Sequence, residues 1–140
     1  MTTVALHRET VEAFVDCMHG GGDDALSGLL AGDVVLSGPL NAEPLTGRKA
    51  VLDAIRALGT VATDLAYEEI LSGSTHHAAR FRLRIDDTVV DGVDFFRLDE
   101  DGNIGEITIW WRPLPAGVEM QGRVAGVLGM QPWTLLTGVQ

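Results

Sequence analysis

The sequence holds a single cysteine, Cys17, so no disulfide can form within the chain and folding must rest on a hydrophobic core. Basic charge is also scarce: 10 Lys and Arg stand against 20 Asp and Glu, a formal net charge of -10. Binding to nucleic acid or to anionic membrane surfaces draws on clustered Lys and Arg, so neither is an expected role. No apolar run approaches the roughly 18 residues of a membrane span. The first residues lack the basic-then-apolar order of a signal peptide, which makes the cytoplasm the expected location. Internal repeats, low-complexity tracts and linkers are missing too, so residues 1–140 are expected to form one domain.

What is present changes period halfway along. From Thr3 to Met18, apolar Val4, Val11, Phe14, Val15 and Met18 recur at steps of three and four, the mark of an amphipathic helix. Gly20-Gly21-Gly22 ends it, and Asp23 or Asp24 can cap a short second helix through about Ala31. Asp33 to Ser37 reads as a strand, the Pro- and Gly-bearing stretch 38–47 as a loop, and Arg48 to Leu58 as a third helix with Val51, Leu52, Ile55 and Leu58 inward. Strands are then expected over Asp64–Leu71, His76–Ile85, Val89–Leu98 and Ile104–Arg112, joined by turns short enough to force antiparallel neighbours. Residues 116–140 read as a short helix over Ala116–Met130 and a tail with Trp133 and Leu135-Leu136. The expected class is α+β: three N-terminal helices on one face of a curved antiparallel sheet, with a short C-terminal helix.

Strand alternation assigns the faces. Ala79, Phe81, Leu83 and Ile85 share one side and Arg80, Arg82 and Arg84 the other. In the next strand the matching inward set ends in Phe96 and Leu98, and it contains Asp94. In the last, Ile107, Ile109 and Trp111 face in. One carboxyl group thus falls among aliphatic and aromatic side chains, where desolvation disfavours its ionised form. Two roles stay open for Asp94: polar anchor or acid/base group for a ligand, or a brace bonded to a backbone amide or an arginine. The expected pocket would be lined by Phe14, Met18, Leu52, Ile55, Phe81, Leu83, Phe96, Ile109 and Trp111 and would take a small hydrophobic molecule. His77 shares the face of Ala79, making it a candidate second acid/base group, with Glu43 a further one.

Metal and nucleophile chemistry find no support. Adjacent His76 and His77 point to opposite faces and cannot chelate one ion together, and His7, Cys17 and His19 lack a ligand spacing, so no metal is expected. No Gly-x-Ser-x-Gly elbow is present, and the triple glycine follows a helix rather than a strand, unlike a phosphate loop. The outer sheet face would carry Arg80, Arg82, Arg84, Arg97 and Arg112 beside Val93, Phe95 and Trp110. That is much apolar surface to leave wet, and it suits an interface between two copies.

The stretch from Asp94 to Trp111, DFFRLDEDGNIGEITIWW, resembles the closing hairpin of the nuclear transport factor 2-like superfamily, whose members include ketosteroid isomerases and SnoaL-like polyketide cyclases. Three helices followed by a long-stranded sheet extend the likeness to about Pro113. The resemblance implies a cone-shaped fold, no cofactor, and a dimer through the sheet. Against ketosteroid isomerase, Asp94 takes the place of the acidic hydrogen-bond donor and Trp111 that of a pocket tryptophan. Phe14 replaces the tyrosine donor and Gly38 the general base. Against limonene-epoxide-hydrolase-like members, Pro113 stands where an acidic residue follows Trp-Arg. Both catalytic sets are therefore incomplete. The expected function is a pocket protein for a small hydrophobic carbonyl compound, acting as an isomerase, cyclase or dehydratase. The alternatives are a non-catalytic carrier or sensor and a dimeric interaction module.

Overall fold

A computed structural model describes residues 3–134. Its elements are α1 (Thr3–Met18), α2 (Asp23–Leu29), β1 (Leu30–Ser37), β2 (Leu45–Thr46), α3 (Arg48–Val61), β3 (Thr63–Ser72), β4 (His76–Ile85), β5 (Thr88–Leu98), β6 (Ile104–Arg112) and α4 (Leu114–Leu128). The architecture is α+β, with helices against one curved, open sheet of strand order β2-β1-β6-β5-β4-β3. Leu135 and Leu136, expected in the tail, lie outside the described residues.

The sheet is mixed, not antiparallel throughout: β1 runs parallel to β6. Short turns dictate antiparallel pairing only between strands consecutive in sequence, which here means β3 to β6. β1 reaches β6 from the far end of the chain and is under no such constraint. The expected loop 38–47 also contains a strand, since Leu45 and Thr46 pair with Leu36 and Val35. The last helix starts at Leu114, ahead of the expected Ala116, because Pro115 sits in its first turn, where a missing N–H costs nothing. Its end is set by Gly129, at φ 70°.

Alternation on β4 is strict: His77, Ala79, Phe81, Leu83 and Ile85 are buried, while Arg80, Arg82 and Arg84 are exposed. On β5 the buried set is Val90, Gly92, Asp94, Phe96 and Leu98. The core forms two clusters. One joins α1, α2 and α3 to the sheet around Val11, Phe14, Val51 and Phe96. The other joins α4 to Phe81, Leu83, Ile85 and Val90 through Ala116, Met120 and Val124. Tyr67 and Ile109 pack against both clusters and mark the seam between them.

Gly92 makes that seam possible. It lies opposite Phe81 on β4 and Trp111 on β6, and a Cβ there would stand 2.3 Å from Phe81 Cζ. Gly92→Ala is expected to destabilise the fold by about 1–3 kcal/mol through overpacking. A lowered urea midpoint at unchanged slope is the expected readout; an unaltered midpoint would contradict this packing.

Candidate functional site

Asp94 stands at the seam. The register sets it between Ala79 on β4 and Ile109 on β6, pointing to the helix side, and leaves it 3% exposed. No arginine reaches it. Its one hydrogen-bond partner among the described residues is Tyr67, whose hydroxyl donates to Asp94 Oδ2 at 2.5 Å. Burial pushes the Asp94 carboxyl up to about 7, and the Tyr67 bond opposes that rise by favouring the charged form. Burial and the neighbouring carboxylate hold the Tyr67 hydroxyl well above its usual range. The proton between them therefore stays on the phenol, and Asp94 is the group that changes state near neutral pH.

Tyr67 comes from β3, a strand whose faces are hard to read from the residues. The pairing with β4 shifts between Tyr67 and Glu69, so Leu65 and Tyr67 turn inward on one phase and Ile70 on the other. The missed signal was modest: it is the only tyrosine of the chain, one strand step from Leu65. The Tyr67 ring packs on Phe81 at 5.5 Å between centroids, and its backbone N–H donates to His19 Nε2 at 3.2 Å. Phe14, which replaces the tyrosine of ketosteroid isomerase in the family comparison, lies in the same cavity wall. The phenol is thus supplied from a different element.

The space beside Asp94 is about 30 Å³. Phe14, Met18, Ile55, Phe81, Leu83, Ile109 and Trp111 line it, together with Leu36, Leu58, Leu65, Tyr67 and Ile107. A second space of about 50 Å³ adjoins it across Leu36, Ile55, Leu58, Ile109 and Trp111, and is lined further by Leu40, Val124, Leu128 and Met130. Gly38, at the general-base position of the family comparison, borders this second chamber.

Several expectations need correction. A pocket the size of a small molecule, on the order of 300 Å³ or more, does not open directly on Asp94: its own chamber has room only for water, while a cleft of about 280 Å³ adjoins it across Met18, Ile55, Leu58, Leu65 and Leu83. Side chains of α3 and of the segment from Val124 to Met130 fill the concavity. Leu52 and Phe96 do not line the cavity: both are core, Phe96 edge-on to Phe14 at 5.0 Å. His77 is buried on the expected face but is not brought to Asp94. It pairs with Phe96, two positions along β5, and its Nδ1 lies 2.8 Å from Ser72 Oγ. Burial first, then electrostatic repulsion from His7, Arg8 and His76, holds its imidazole below the ordinary value. Glu43 is exposed in the loop after β1, with its carbonyl accepting from the Asn41 side chain, and lies away from the chambers.

The segment after α4 is fastened by Gln121. That side chain is 1% exposed; its Nε2 donates to the Gln131 carbonyl at 2.9 Å and its Oε1 accepts from the Trp133 N–H at 2.8 Å. Met130 is thereby held against the second chamber. Among the described residues, no cluster of three or more His, Cys, Asp or Glu is placed to hold a metal ion, and no helix is long and apolar enough to cross a membrane.

Comparison with known proteins follows the same outline. Residues 11–107 match the family model of the SnoaL-like domain. A steroid Delta-isomerase of Nocardioides simplex is 30% identical over 112 residues, which cover 76% of this chain and 89% of that protein. Among solved structures, a steroid Delta-isomerase of Pseudomonas aeruginosa is similar with a TM-score of 0.77 at 27% identity, over 89% of this chain and 96% of that one. An uncharacterized bacterial protein with a cystatin-like fold from Silicibacter pomeroyi gives a TM-score of 0.81 at 22% identity, over 86% and 85% of the two chains, a likeness of fold alone. The family-model match ends before α4, so Gln121 and the segment that it fastens stand outside it.

Proposed function

The chain belongs to the SnoaL-like domain family, within the nuclear transport factor 2-like fold, and from that premise we propose that it moves a proton on a small, mostly apolar carbonyl compound without a cofactor. One observation carries this reading: a buried carboxyl group poised near pH 7, held by a phenol inside an apolar cavity. A base whose own value lies near the working pH combines a useful ionised fraction with real affinity for the proton. Ionised Asp94 would take a proton from carbon next to the carbonyl, the C–H electron pair passing into an enolate. Asp94 would then return that proton to the same or a conjugated carbon. Tyr67 would fix the carboxylate through Oδ2 and leave Oδ1 to face the substrate. The steroid isomerases among the relatives support the reaction class. Substrate would enter past Leu128 and Met130, which line the second chamber, or from the cleft beside Met18, Leu58 and Leu65.

Proton exchange tests this directly. An apolar cyclic ketone incubated with the protein in D₂O should lose its α-proton NMR signals faster than in buffer, with Asp94→Asn at the buffer rate. Equal exchange by wild type and variant would remove the proposal. The second reading, a non-catalytic binding protein for an apolar metabolite, is favoured by the small chambers and by the lack, among the described residues, of a second carboxyl or an imidazole lining them. Ketone binding without exchange would select it.

The proposal includes a homodimer through the outer sheet face and a cytoplasmic setting. Arginines of that face find partners within the sheet itself, Arg82 bonding Asp91 at 2.9 Å and Arg97 lying 3.3 Å from Glu106. Trp110 is left 57% exposed, edge-on to Phe95 at 5.9 Å. Light scattering at micromolar concentration should give twice the chain mass, and Trp110→Glu should give the single mass; a monomeric wild type would rule this interface out.

A further inference from the structure

Two buried donors line the Asp94 chamber, and only one of them is engaged. The Tyr67 hydroxyl is committed to Asp94 Oδ2. The indole Nε1 of Trp111 is buried and has no hydrogen-bond partner among the described residues. Buried polar atoms are nearly always paired, so an unpaired donor in a cavity wall calls for an acceptor from outside the chain. The other buried side-chain atoms in this condition, His7 Nδ1 and His77 Nε2, belong to neither chamber wall. Trp111 borders both chambers, so its ring forms part of the partition between them.

The register fixes its relation to the acid. Asp94 faces Ile109 across the β5–β6 pair, and Trp111 lies two residues further on the same face of β6. Such diagonal neighbours have backbones about 7–8 Å apart, a gap that one small molecule can bridge with two of its atoms. We infer that the Trp111 indole N–H holds the ligand's carbonyl oxygen while the carbon next to that carbonyl faces Asp94, which makes Trp111 a catalytic donor and an apolar ketone or aldehyde the ligand class. This rests on the proton-transfer reading above. As Asp94 takes the proton, the C–H pair becomes the new C=C bond and the carbonyl π pair moves to oxygen. The indole N–H meets that growing negative charge in a dry site, where a preorganised donor has its largest effect. The proton then leaves Asp94 for carbon, and the electrons run back. The assignment also gives the carbonyl compound an orientation: its oxygen lies toward the partition and its apolar body toward Leu128 and Met130.

NMR of the whole chain with ¹⁵N-labelled tryptophan tests this, because Trp110, Trp111 and Trp133 each give one indole signal and Trp111→Phe identifies the relevant one. Cyclohexanone should move the Trp111 N–H signal downfield, and methylcyclohexane, similar in shape without an acceptor, should not. In the exchange assay Trp111→Phe should lower the rate constant about a hundred-fold at a nearly unchanged KM. An unmoved Trp111 signal up to the solubility limit of the ketone overturns the assignment, as does wild-type exchange by the variant. If Trp111→Phe fails to fold, Trp110→Phe and Trp133→Phe identify the Trp111 signal by elimination, and the titration of the wild type decides alone. Should no protein catalyse exchange while cyclohexanone still shifts Trp111, the proton-transfer reading falls and the donor assignment stands.

Discussion

Asp94→Asn is expected to stabilise the protein at pH 8 by about 2–4 kcal/mol and to leave its stability nearly unchanged at pH 4. The sign follows from linkage. Asp94 holds its proton up to about pH 7 in the folded chain, against an ordinary 3.8. Between those two values the folded state keeps a proton that the unfolded state releases, so stability falls as pH rises through the window. Over its full width the loss is about 4 kcal/mol. Asparagine has the same shape and no charge to desolvate, so it escapes that loss; its unpaired amide N–H₂ sets the lower end of the range. His77 works in the opposite sense, since a neutral buried imidazole loses stability as pH falls below its ordinary value. It is common to both proteins and cancels in their difference. Urea unfolding of the two from pH 4 to pH 8 measures the effect, and a difference that does not change with pH would refute the burial of Asp94.

Tyr67→Phe should act on the same group from the other side. The lost hydroxyl bond favours the ionised carboxylate, so without it Asp94 should titrate roughly one pH unit higher. The basic limb on which activity appears should move up by the same amount. Stability should drop by about 1 kcal/mol at pH 5, where a neutral hydrogen bond is lost, and by about 2 kcal/mol at pH 8, where the bond is to a charge. Carbon NMR of the Asp94 carboxyl reads the first effect; a titration midpoint equal to that of wild type would show that the 2.5 Å contact does not govern the acid.

These two variants also show where the residues spoke plainly and where they did not. Asp94 was legible because β4 alternates without interruption and β5 pairs with it one-to-one, so a charge in the apolar phase stands out. Tyr67 was not, because β3 breaks its alternation twice and no local pattern announces a bulge. The parallel β1–β6 pairing was hidden for another reason: it joins distant segments, and period and turn residues report only on neighbours. His77 shared the right face, but a face is not a depth along the strand. The cavity's size depended on how far Leu128 and Met130 reach, which is a matter of packing volumes rather than of order along the chain.

The seam between β1 and β6 bears on how the molecule forms. Leu36 and Ile107 border the acid's chamber, and they become neighbours only when a loop of about seventy residues closes. Pairings of that span are the slow ones. Until it closes, Asp94 meets bulk water and behaves as an ordinary carboxylic acid. At pH 5.5, therefore, folding must draw close to one hydrogen ion per chain out of solution at this site, and a dye indicator in weak buffer would time the sealing of the chamber against the appearance of the rest of the sheet.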